Sequence, residues 1–105
     1  MKHYVYSILN KKTGSIYIGS RSHCNPQEDA YMGSSKILMK VIEHQGVQNF
    51  EKTILAQFST RKEANKYETD LVVELFKHYP EKCYNRRIPG VPVYEKQHNI
   101  RGYLE

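Results

Sequence analysis

Two segments near the start of the chain are rich in aromatic and β-branched residues, and each predicts a β-strand. They span residues 3 to 9 and residues 15 to 20. The stretch between them ends in Gly14, which can adopt a positive φ, and this is typical of a hairpin loop of four or five residues. The pattern therefore predicts an antiparallel β-hairpin.

The register of this hairpin decides where two tyrosines point. If Leu9 pairs with Gly14, Tyr6 and Tyr17 lie directly opposite each other on one face of the sheet. A shift by one residue would place them on opposite faces, because side chains alternate along a strand. Paired tyrosines on strands are also common as simple packing, so their spacing alone favours no function.

The next part of the chain predicts a loop followed by a helix. Residues 21 to 33 have no periodicity and contain proline and glycine, which is typical of an irregular surface loop. Ser34 or Ser35 can cap a helix at its N-terminus, and Gly46 can end it. Between them, apolar residues recur at helical spacing: Ile37, Leu38, Val41 and Ile42.

A third strand is predicted from Phe50 to Phe58, where apolar and polar residues alternate. The alternation places Phe50, Ile54, Ala56 and Phe58 on one side, with Lys52 among them. The strand is about nine residues long.

A second helix begins with a capping box, in which Thr60 and Glu63 satisfy unpaired backbone N–H groups. We expect it to continue to about His78 and to end before Pro80. The order strand, strand, helix, strand, helix predicts an α+β fold with a small three-stranded antiparallel sheet flanked by helices. We assign residues 1 to 88 to this domain and residues 89 to 105 to a basic, mostly irregular C-terminal tail.

One carboxylate lies where the core should be. On the second helix, Glu68 falls in the middle of an apolar arc formed by Ala64, Tyr67, Leu71, Val72, Leu75 and Phe76. The other charged residues of this helix fall outside the arc, where surface charges belong. An inward carboxylate must be paired, hydrogen-bonded or bound to a cation, because desolvation of its charge is costly. A metal site and a purely structural hydrogen bond both satisfy this requirement.

Composition narrows the class of protein. The 105 residues fit one domain, no apolar run is long enough to span a membrane, and we expect a soluble protein of the cytoplasm. Lysine and arginine exceed aspartate and glutamate by 16 to 11, which supports an anionic partner such as nucleic acid. The two cysteines, Cys24 and Cys83, form no C-x-x-C spacing and are expected to be free thiols; zinc binding with His23 and His78 is a weaker alternative.

An ordered series of short motifs indicates a protein family, which the spacing of single residues does not. Tyr4-Val5-Tyr6 followed after ten residues by Tyr17-Ile18-Gly19 resembles the GIY-YIG nuclease family. The resemblance continues through Tyr31 to Lys36, Val41 to Gly46 with Asn49-Phe50, Glu68, and Tyr84-Asn85, and it is similar to the phage and homing endonuclease branch. It covers roughly residues 4 to 88.

This resemblance implies a metal-dependent DNA endonuclease that leaves 5'-phosphate and 3'-hydroxyl ends. It implies Mg²⁺, or Mn²⁺, held by Glu68, with Tyr6 activating or orienting water and Tyr17 holding the site or the phosphate. Arg21 would balance charge on the phosphate, and Asn85 would tie the end of the chain to the site. A tyrosine base would need a lowered pKa, which a cation and Arg21 could provide.

Two positions depart from the family pattern. Tyr4 replaces the first glycine of the motif, and Gln27 stands near the place where many members have their arginine. Arg21, four residues beyond Tyr17, is therefore predicted to be the arginine of this branch.

Several further residues are candidates near the phosphate. His23, Lys36 and His44 are candidates to assist catalysis, of which His23 is closest to Arg21 and His44 is better explained as a surface residue. Lys36, Arg86 and Arg87 are predicted to contact DNA. The alternative functions are an inactive nucleic-acid-binding module on the same fold and a purely structural domain; no membrane partner is expected, and both monomer and homodimer are open. No zinc-finger or helix-turn-helix pattern predicts a target sequence.

Overall fold

The computed structural model describes residues 1–33 and 35–85 of the chain. Within them lie three strands and two α-helices: β1 (Lys2–Asn10), β2 (Ile16–His23), α1 (Lys36–Gln45), β3 (Phe50–Phe58) and α2 (Arg61–His78). The strands form one antiparallel sheet in the order β2-β1-β3. The predicted α+β class and element order are confirmed. The predicted boundary at residue 88, and the tail beyond it, lie outside the described residues.

The hairpin is confirmed, and the structure decides its register, which the sequence left open. Tyr6 pairs with Gly19, and Ile8 pairs with Tyr17. The loop occupies residues 11 to 15, and Gly14 takes a φ of 80° within it. Because this register differs by two residues from one in which Leu9 pairs with Gly14, the tyrosines remain on the same face. They are diagonal rather than opposite neighbours, with ring centroids 6.3 Å apart.

The second strand extends further than the sequence pattern suggests. Arg21, Ser22 and His23 continue β2 and pair with the first residues of β1. The prediction of a loop from residue 21 is therefore wrong. Polar side chains interrupt the apolar pattern here because β2 is an edge strand, but pairing with β1 keeps its backbone extended. As a result, Arg21 lies on a strand, opposite Tyr4.

A β-bulge divides the apolar side chains of β3 between the two faces of the sheet. Val5 pairs with Ala56, whereas Tyr6 pairs with Ile54, so Leu55 is the extra residue. Ile54 therefore packs in the same cluster as Tyr6, while Phe58, beyond the bulge, packs with Val5. The prediction that all apolar residues of this strand share one side is wrong, because one extra residue inverts the alternation.

Both helices begin and end as predicted. The Ser35 side chain accepts a 3.2 Å hydrogen bond from the Leu38 N–H, and α1 ends at Gly46, whose φ is 91°. At the start of α2, Thr60 Oγ1 accepts from the Glu63 N–H at 3.2 Å. The Thr60 hydroxyl in turn donates to Glu63 Oε1 at 2.9 Å. The Glu63 side chain thus bonds the hydroxyl of the capping residue, a variation on the expected pattern.

The sheet is covered on both faces, which creates two small cores. The core to which α2 contributes contains the buried residues Val5, Ile18, Ala64, Val72, Phe76 and Cys83. The core to which α1 contributes contains Tyr4, Tyr6, Ile8, Leu38 and Phe50. Two residues of the second core, Tyr4 and Tyr6, carry hydroxyl groups, so the packing of this core depends on where those hydroxyls emerge.

Cys24, which is exposed, and Cys83, which is buried, form no disulfide with each other, as expected. In residues 1–33 and 35–85 no three His, Cys, Asp or Glu side chains gather as a metal site, so the zinc alternative has no support there. The same residues contain no helix long and apolar enough to cross a bilayer.

Candidate active site

An open cleft of about 650 Å³ lies beside β2, at the edge of the sheet. The sheet, the segment before α1 and the helix α2 all contribute to its walls. Its lining residues are Tyr6, Tyr17, Ser20, Tyr31, Arg61, Asn65, Lys66, Glu68, Thr69 and Asp70. Three residues predicted for the site, Tyr6, Tyr17 and Glu68, are therefore brought together here.

Gly19 allows Tyr6 to reach this cleft. A Cβ at Gly19 would lie 2.5 Å from the Tyr6 hydroxyl oxygen and 2.6 Å from Cζ, distances that no side chain tolerates. The Tyr6 ring therefore crosses β2 at the position where that strand has no side chain. Sequence reasoning gave Gly19 no role. The available signal was a glycine inside a strand, which often marks a close approach.

Gly33 plays a similar part next to Tyr17. A Cβ at Gly33 would be 2.7 Å from Cε2 of the Tyr17 ring, and the glycine has a φ of 98°. The segment that leads into α1 thus crosses directly over this ring. Tyr31, two residues earlier, forms part of the cleft wall.

Glu68 enters the cleft from the other face of the sheet. It projects from α2, is half-buried, and accepts a 3.1 Å hydrogen bond from the Ser20 hydroxyl. Burial raises the pKa of the Glu68 carboxyl, while the Ser20 hydrogen bond and the positive charge of Arg61 oppose this rise. Because β2 is the edge strand, side chains from both faces of the sheet meet beside it.

The oxygen donors of the cleft fit a hard divalent cation better than zinc. Glu68 has no ion-pair partner within the described part of the chain. Asp70, the second carboxylate of the lining, is already paired with Lys66 at 3.0 Å. One free carboxylate beside hydroxyl groups suits Mg²⁺, which retains several waters and needs few protein ligands. It does not suit zinc, which prefers histidine and cysteine.

Arg21 lies next to the cleft but is held by other groups. Its Nε donates to Asp29 Oδ2 at 2.7 Å, and its guanidinium lies 3.9 Å from the centroid of the Tyr31 ring. Arg21 is absent from the residues that line the cleft, whereas Arg61 is present. The role of Arg21 toward phosphate stays a prediction. Arg61 was missed because a lysine- and arginine-rich helix start resembles an ordinary solvated surface.

Asp29 is the centre of a hydrogen-bond network that fixes this wall. Its Oδ2 also accepts from the Tyr4 hydroxyl at 2.5 Å, and its Oδ1 accepts from the Tyr31 N–H at 3.2 Å. Burial alone would raise the pKa of Asp29, but hydrogen bonds from Tyr4, the Tyr31 backbone and Arg21 lower it to about 2. Tyr4, which replaces the family glycine, thus anchors the segment that carries Tyr31.

Lys52 supports the same segment from β3. Its Nζ donates to the backbone carbonyls of Asp29 at 3.0 Å and Tyr31 at 2.6 Å, and to the Tyr4 hydroxyl at 3.0 Å. It also lies 4.7 Å from the centroid of the Tyr6 ring. Burial lowers the pKa of Lys52, and the charge of Asp29 opposes this effect. The lysine that interrupted the apolar pattern of the strand therefore has a positioning role.

The protein alone does not prepare Tyr6 as a base. Burial raises the pKa of Tyr6, and the neighbouring Tyr17 and Tyr31 raise it further. Arg21 lowers the pKa of Tyr4, but it is not among the main influences on the pKa of Tyr6. At neutral pH the Tyr6 hydroxyl is protonated and can act as a hydrogen-bond donor. Within the described part of the chain it has no hydrogen-bond partner.

Asn85 connects the end of the described chain to β2. Its Oδ1 accepts from the Ile18 N–H at 2.9 Å, and its Nδ2 donates to the Ile18 carbonyl at 2.8 Å. Asn85 is buried and holds the strand between Tyr17 and Gly19, but it does not line the cleft. With the parallel bridge between Cys83 and Ile16, these bonds place Asn85 along the outer edge of β2. Its part in catalysis stays a prediction.

The remaining candidates lie outside the cleft. His23 ends β2, and its Nδ1 accepts from the Asn25 N–H at 3.0 Å. Lys36 and His44 are exposed at the two ends of α1. Roles for these three residues remain predictions. The predicted DNA contacts Arg86 and Arg87 fall outside the described residues.

Comparison with known proteins finds one matching family. The model described as "Putative endonuclease segE, GIY-YIG domain" matches residues 1–79. This range contains Tyr6, Tyr17, Arg21 and Glu68, and ends before Asn85. No solved structure shows a significant match.

Curated proteins of Enterobacteria phage T4 are similar over most of the chain. "Putative endonuclease segB" is 38% identical over 90 residues, which cover 86% of this chain and 40% of that protein. "Putative endonuclease segC" is 36% identical over 99 residues, covering 94% and 48%. "Putative endonuclease segD" is 42% identical over 76 residues, covering 72% and 34%. The chain thus spans less than half the length of these relatives.

Proposed function

The chain belongs to the GIY-YIG endonuclease family, and from this premise we propose that it cleaves DNA by hydrolysing phosphodiester bonds in the cleft beside β2. The products would carry 5'-phosphate and 3'-hydroxyl ends. The observation that supports this most strongly is the meeting of Tyr6, Tyr17 and Glu68 in one cleft, although they come from β1, β2 and α2. The relatives are phage proteins, which fits action inside an infected bacterial cell.

Glu68 would hold a divalent cation, Mg²⁺ or Mn²⁺. The cation supplies positive charge opposite the negative charge that builds up on the phosphate during hydrolysis. Glu68 is suited to this because it is half-buried and, among the residues that the structure describes, has only the neutral Ser20 hydroxyl as a hydrogen-bond partner. A bound cation would relieve the desolvation of its charge.

Tyr6 and Tyr17 would position the reacting groups. Because the Tyr6 hydroxyl is protonated and reaches the cleft across Gly19, it can orient the attacking water by hydrogen bonding. Tyr17, under the segment that contains Gly33, would support the phosphate from the sheet side. Tyr6 therefore acts as a positioning group rather than as a strong base of the free protein.

A plasmid-nicking assay tests the proposal. Supercoiled plasmid is incubated with the protein and Mg²⁺, and we expect conversion to open-circular or linear DNA. Glu68→Ala should reduce the rate by about 100-fold or more, the effect of losing several kcal/mol of charge stabilisation. Glu74→Ala, which removes an exposed carboxylate of the same helix, is the matched control and should nick normally.

The possible outcomes separate the proposed function from its rival. An unchanged protein that fails to nick, or a Glu68→Ala variant that nicks as fast as the unchanged protein, contradicts the endonuclease proposal. Binding of DNA without nicking supports instead an inactive nucleic-acid-binding module on the same fold.

A further inference from the structure

Among residues 1–33 and 35–85, two arginines, Arg21 and Arg61, lie close to the candidate active site, and they differ in the groups that surround them. Arg21 is the arginine that the family resemblance favours, and Arg61 has no assigned role. Both are long enough to contact a phosphate, and arginine binds phosphate well because it offers several N–H donors in one plane. What separates them is whether a carboxylate already neutralises the charge of the arginine, and whether the side chain lines the cleft.

Arg21 is bound to a carboxylate. Its Nε is 2.7 Å from Asp29 Oδ2, and its guanidinium stacks on the Tyr31 ring. The side chain of Asp29 is only 5% exposed and has a pKa of about 2, so the ion pair persists throughout the neutral range. Moving Arg21 onto a phosphate would leave Asp29 buried without its main cation, which costs free energy. The arginine is therefore a structural part of the wall that carries Tyr31.

Arg61 is in the opposite situation. It lines the cleft together with Tyr6, Tyr17 and Glu68. Its Nη1 donates to the neutral hydroxyl of Ser22 at 3.1 Å, and within the described residues it forms no ion pair. An anion can therefore bind the guanidinium of Arg61 without competing with a carboxylate, which is not true of Arg21.

The placement of Arg61 relative to Glu68 suits a phosphate between them. The two residues are seven positions apart on α2, about two helical turns, and so lie on the same side of the helix. They are close enough for the charge of Arg61 to influence Glu68 but do not form an ion pair. The other cation of the lining, Lys66, is paired with Asp70.

We propose that Arg61, rather than Arg21, contacts the phosphate that is cleaved. This inference rests on the proposed endonuclease function, which it deepens by assigning the cation of the site. Arg61 would donate hydrogen bonds to a non-bridging phosphate oxygen and stabilise the negative charge that develops there. The Ser22 hydroxyl orients the guanidinium while leaving its charge uncompensated.

Single-turnover cleavage with saturating protein and Mg²⁺ tests this assignment. Arg61→Ala should slow cleavage by about 100-fold, the usual effect of removing one donor to a developing negative charge. Arg61→Lys should cleave at a rate between those of the unchanged protein and Arg61→Ala, because lysine keeps the charge but not the planar donors. Lys62→Ala, which removes an exposed cation one residue along the helix and outside the cleft, should cleave normally.

Guanidinium rescue separates a phosphate contact from a structural role. A non-denaturing concentration of guanidinium chloride should raise the cleavage rate of Arg61→Ala several-fold, because the free ion can occupy the vacated position. It should not raise that of Arg21→Ala, whose defect is a displaced wall, because the ion does not restore the packing on Tyr31. Circular dichroism and thermal unfolding establish that each variant is folded.

The possible results separate the proposed function from the assignment of Arg61. Failure of the unchanged protein to cleave contradicts the proposed function and this inference with it. Normal cleavage by the unchanged protein with cleavage by folded Arg61→Ala within threefold of it contradicts the inference alone. So does guanidinium rescue of Arg21→Ala but not of Arg61→Ala, because that would identify Arg21 as the phosphate contact.

Discussion

Tyr6 and Gly19 face each other across the β1–β2 ladder, and the tyrosine hydroxyl occupies space that a side chain at Gly19 would need. The glycine is therefore required by the neighbouring strand and not by its own backbone, since it is not among the glycines with a positive φ. This contact carries a buried aromatic ring of the central strand to a cleft at the edge of the sheet.

Gly19→Ala should impair catalysis more than folding. The added methyl group would lie 2.5 Å from the Tyr6 hydroxyl, so the ring must move, and a misplacement of about 1 Å can cost roughly 100-fold in rate. The measurement is plasmid nicking alongside the midpoint of thermal unfolding. Gly14→Ala is the control: it meets no atom within 4 Å, so it should lose about 1 kcal/mol of stability from its φ of 80° but retain activity. Equal activity of the two variants would contradict the role of Gly19.

Mg²⁺ should stabilise the folded protein through Glu68. At neutral pH the half-buried carboxylate is destabilising because burial raises its pKa, and a bound cation offsets this. A concentration 100 times the dissociation constant would add about 2.7 kcal/mol to the free energy of unfolding. Thermal unfolding with and without Mg²⁺ checks this without DNA. Glu68→Gln should abolish the shift, and a shift of normal size in that variant would contradict cation binding at Glu68.

The Glu68 carboxyl also makes the free energy of unfolding depend on pH. Because the folded protein holds its proton more tightly than the unfolded chain, Glu68 lowers stability as pH rises from about 4.5 through its raised folded pKa. Without Mg²⁺, Glu68→Gln should therefore be more stable than the unchanged protein near pH 7 and should lose this advantage near pH 4. Urea unfolding at a series of pH values measures it. If the stability advantage of Glu68→Gln grew toward low pH, it would contradict a raised pKa for Glu68 in the folded protein.

Asp29 should stabilise the folded protein when it is ionised, which is the opposite of the effect of Glu68, and this stabilisation should be lost at low pH. Its pKa falls from 3.8 to about 2 on folding, so its contribution is complete above pH 4 and is lost as pH falls toward 2. Asp29→Asn should flatten the acid side of the stability curve by on the order of 1 kcal/mol, a value reduced by solvent because Arg21 is 37% exposed. Acid titration followed by circular dichroism measures it. Asp70→Asn, in an exposed pair, should leave that slope nearly unchanged.

Asn85 should hold β2 in place through both hydrogen bonds to Ile18. Asn85→Ala leaves the Ile18 N–H and carbonyl without these partners and should cost about 1–3 kcal/mol. Amide hydrogen exchange adds a local test, since the Ile18 N–H should exchange faster than N–H groups of β3 in the same variant. Uniformly faster exchange throughout the sheet, with no excess at Ile18, would contradict this local role.

The sequence by itself determined the elements and the unusual position of Glu68. Hydrophobic periodicity and the capping residues Ser35, Thr60 and Gly46 are local signals, so the helix ends were predicted correctly. The inward position of Glu68 also follows from periodicity alone, because a helix fixes which residues share a face. The motif series indicated the family before any distance was known.

Only the tertiary structure decided how these elements build the site. The hairpin register and the Leu55 bulge depend on pairing between strands, and a shift of one residue there moves a side chain to the other face. The choice between Arg21 and Arg61 depends on partners such as Asp29, which is close to Arg21 only because the chain folds back at the sheet edge. Hydrophobic periodicity can be recognised in the local sequence. Whether an arginine is free to bind a phosphate depends instead on which residues the fold places next to it.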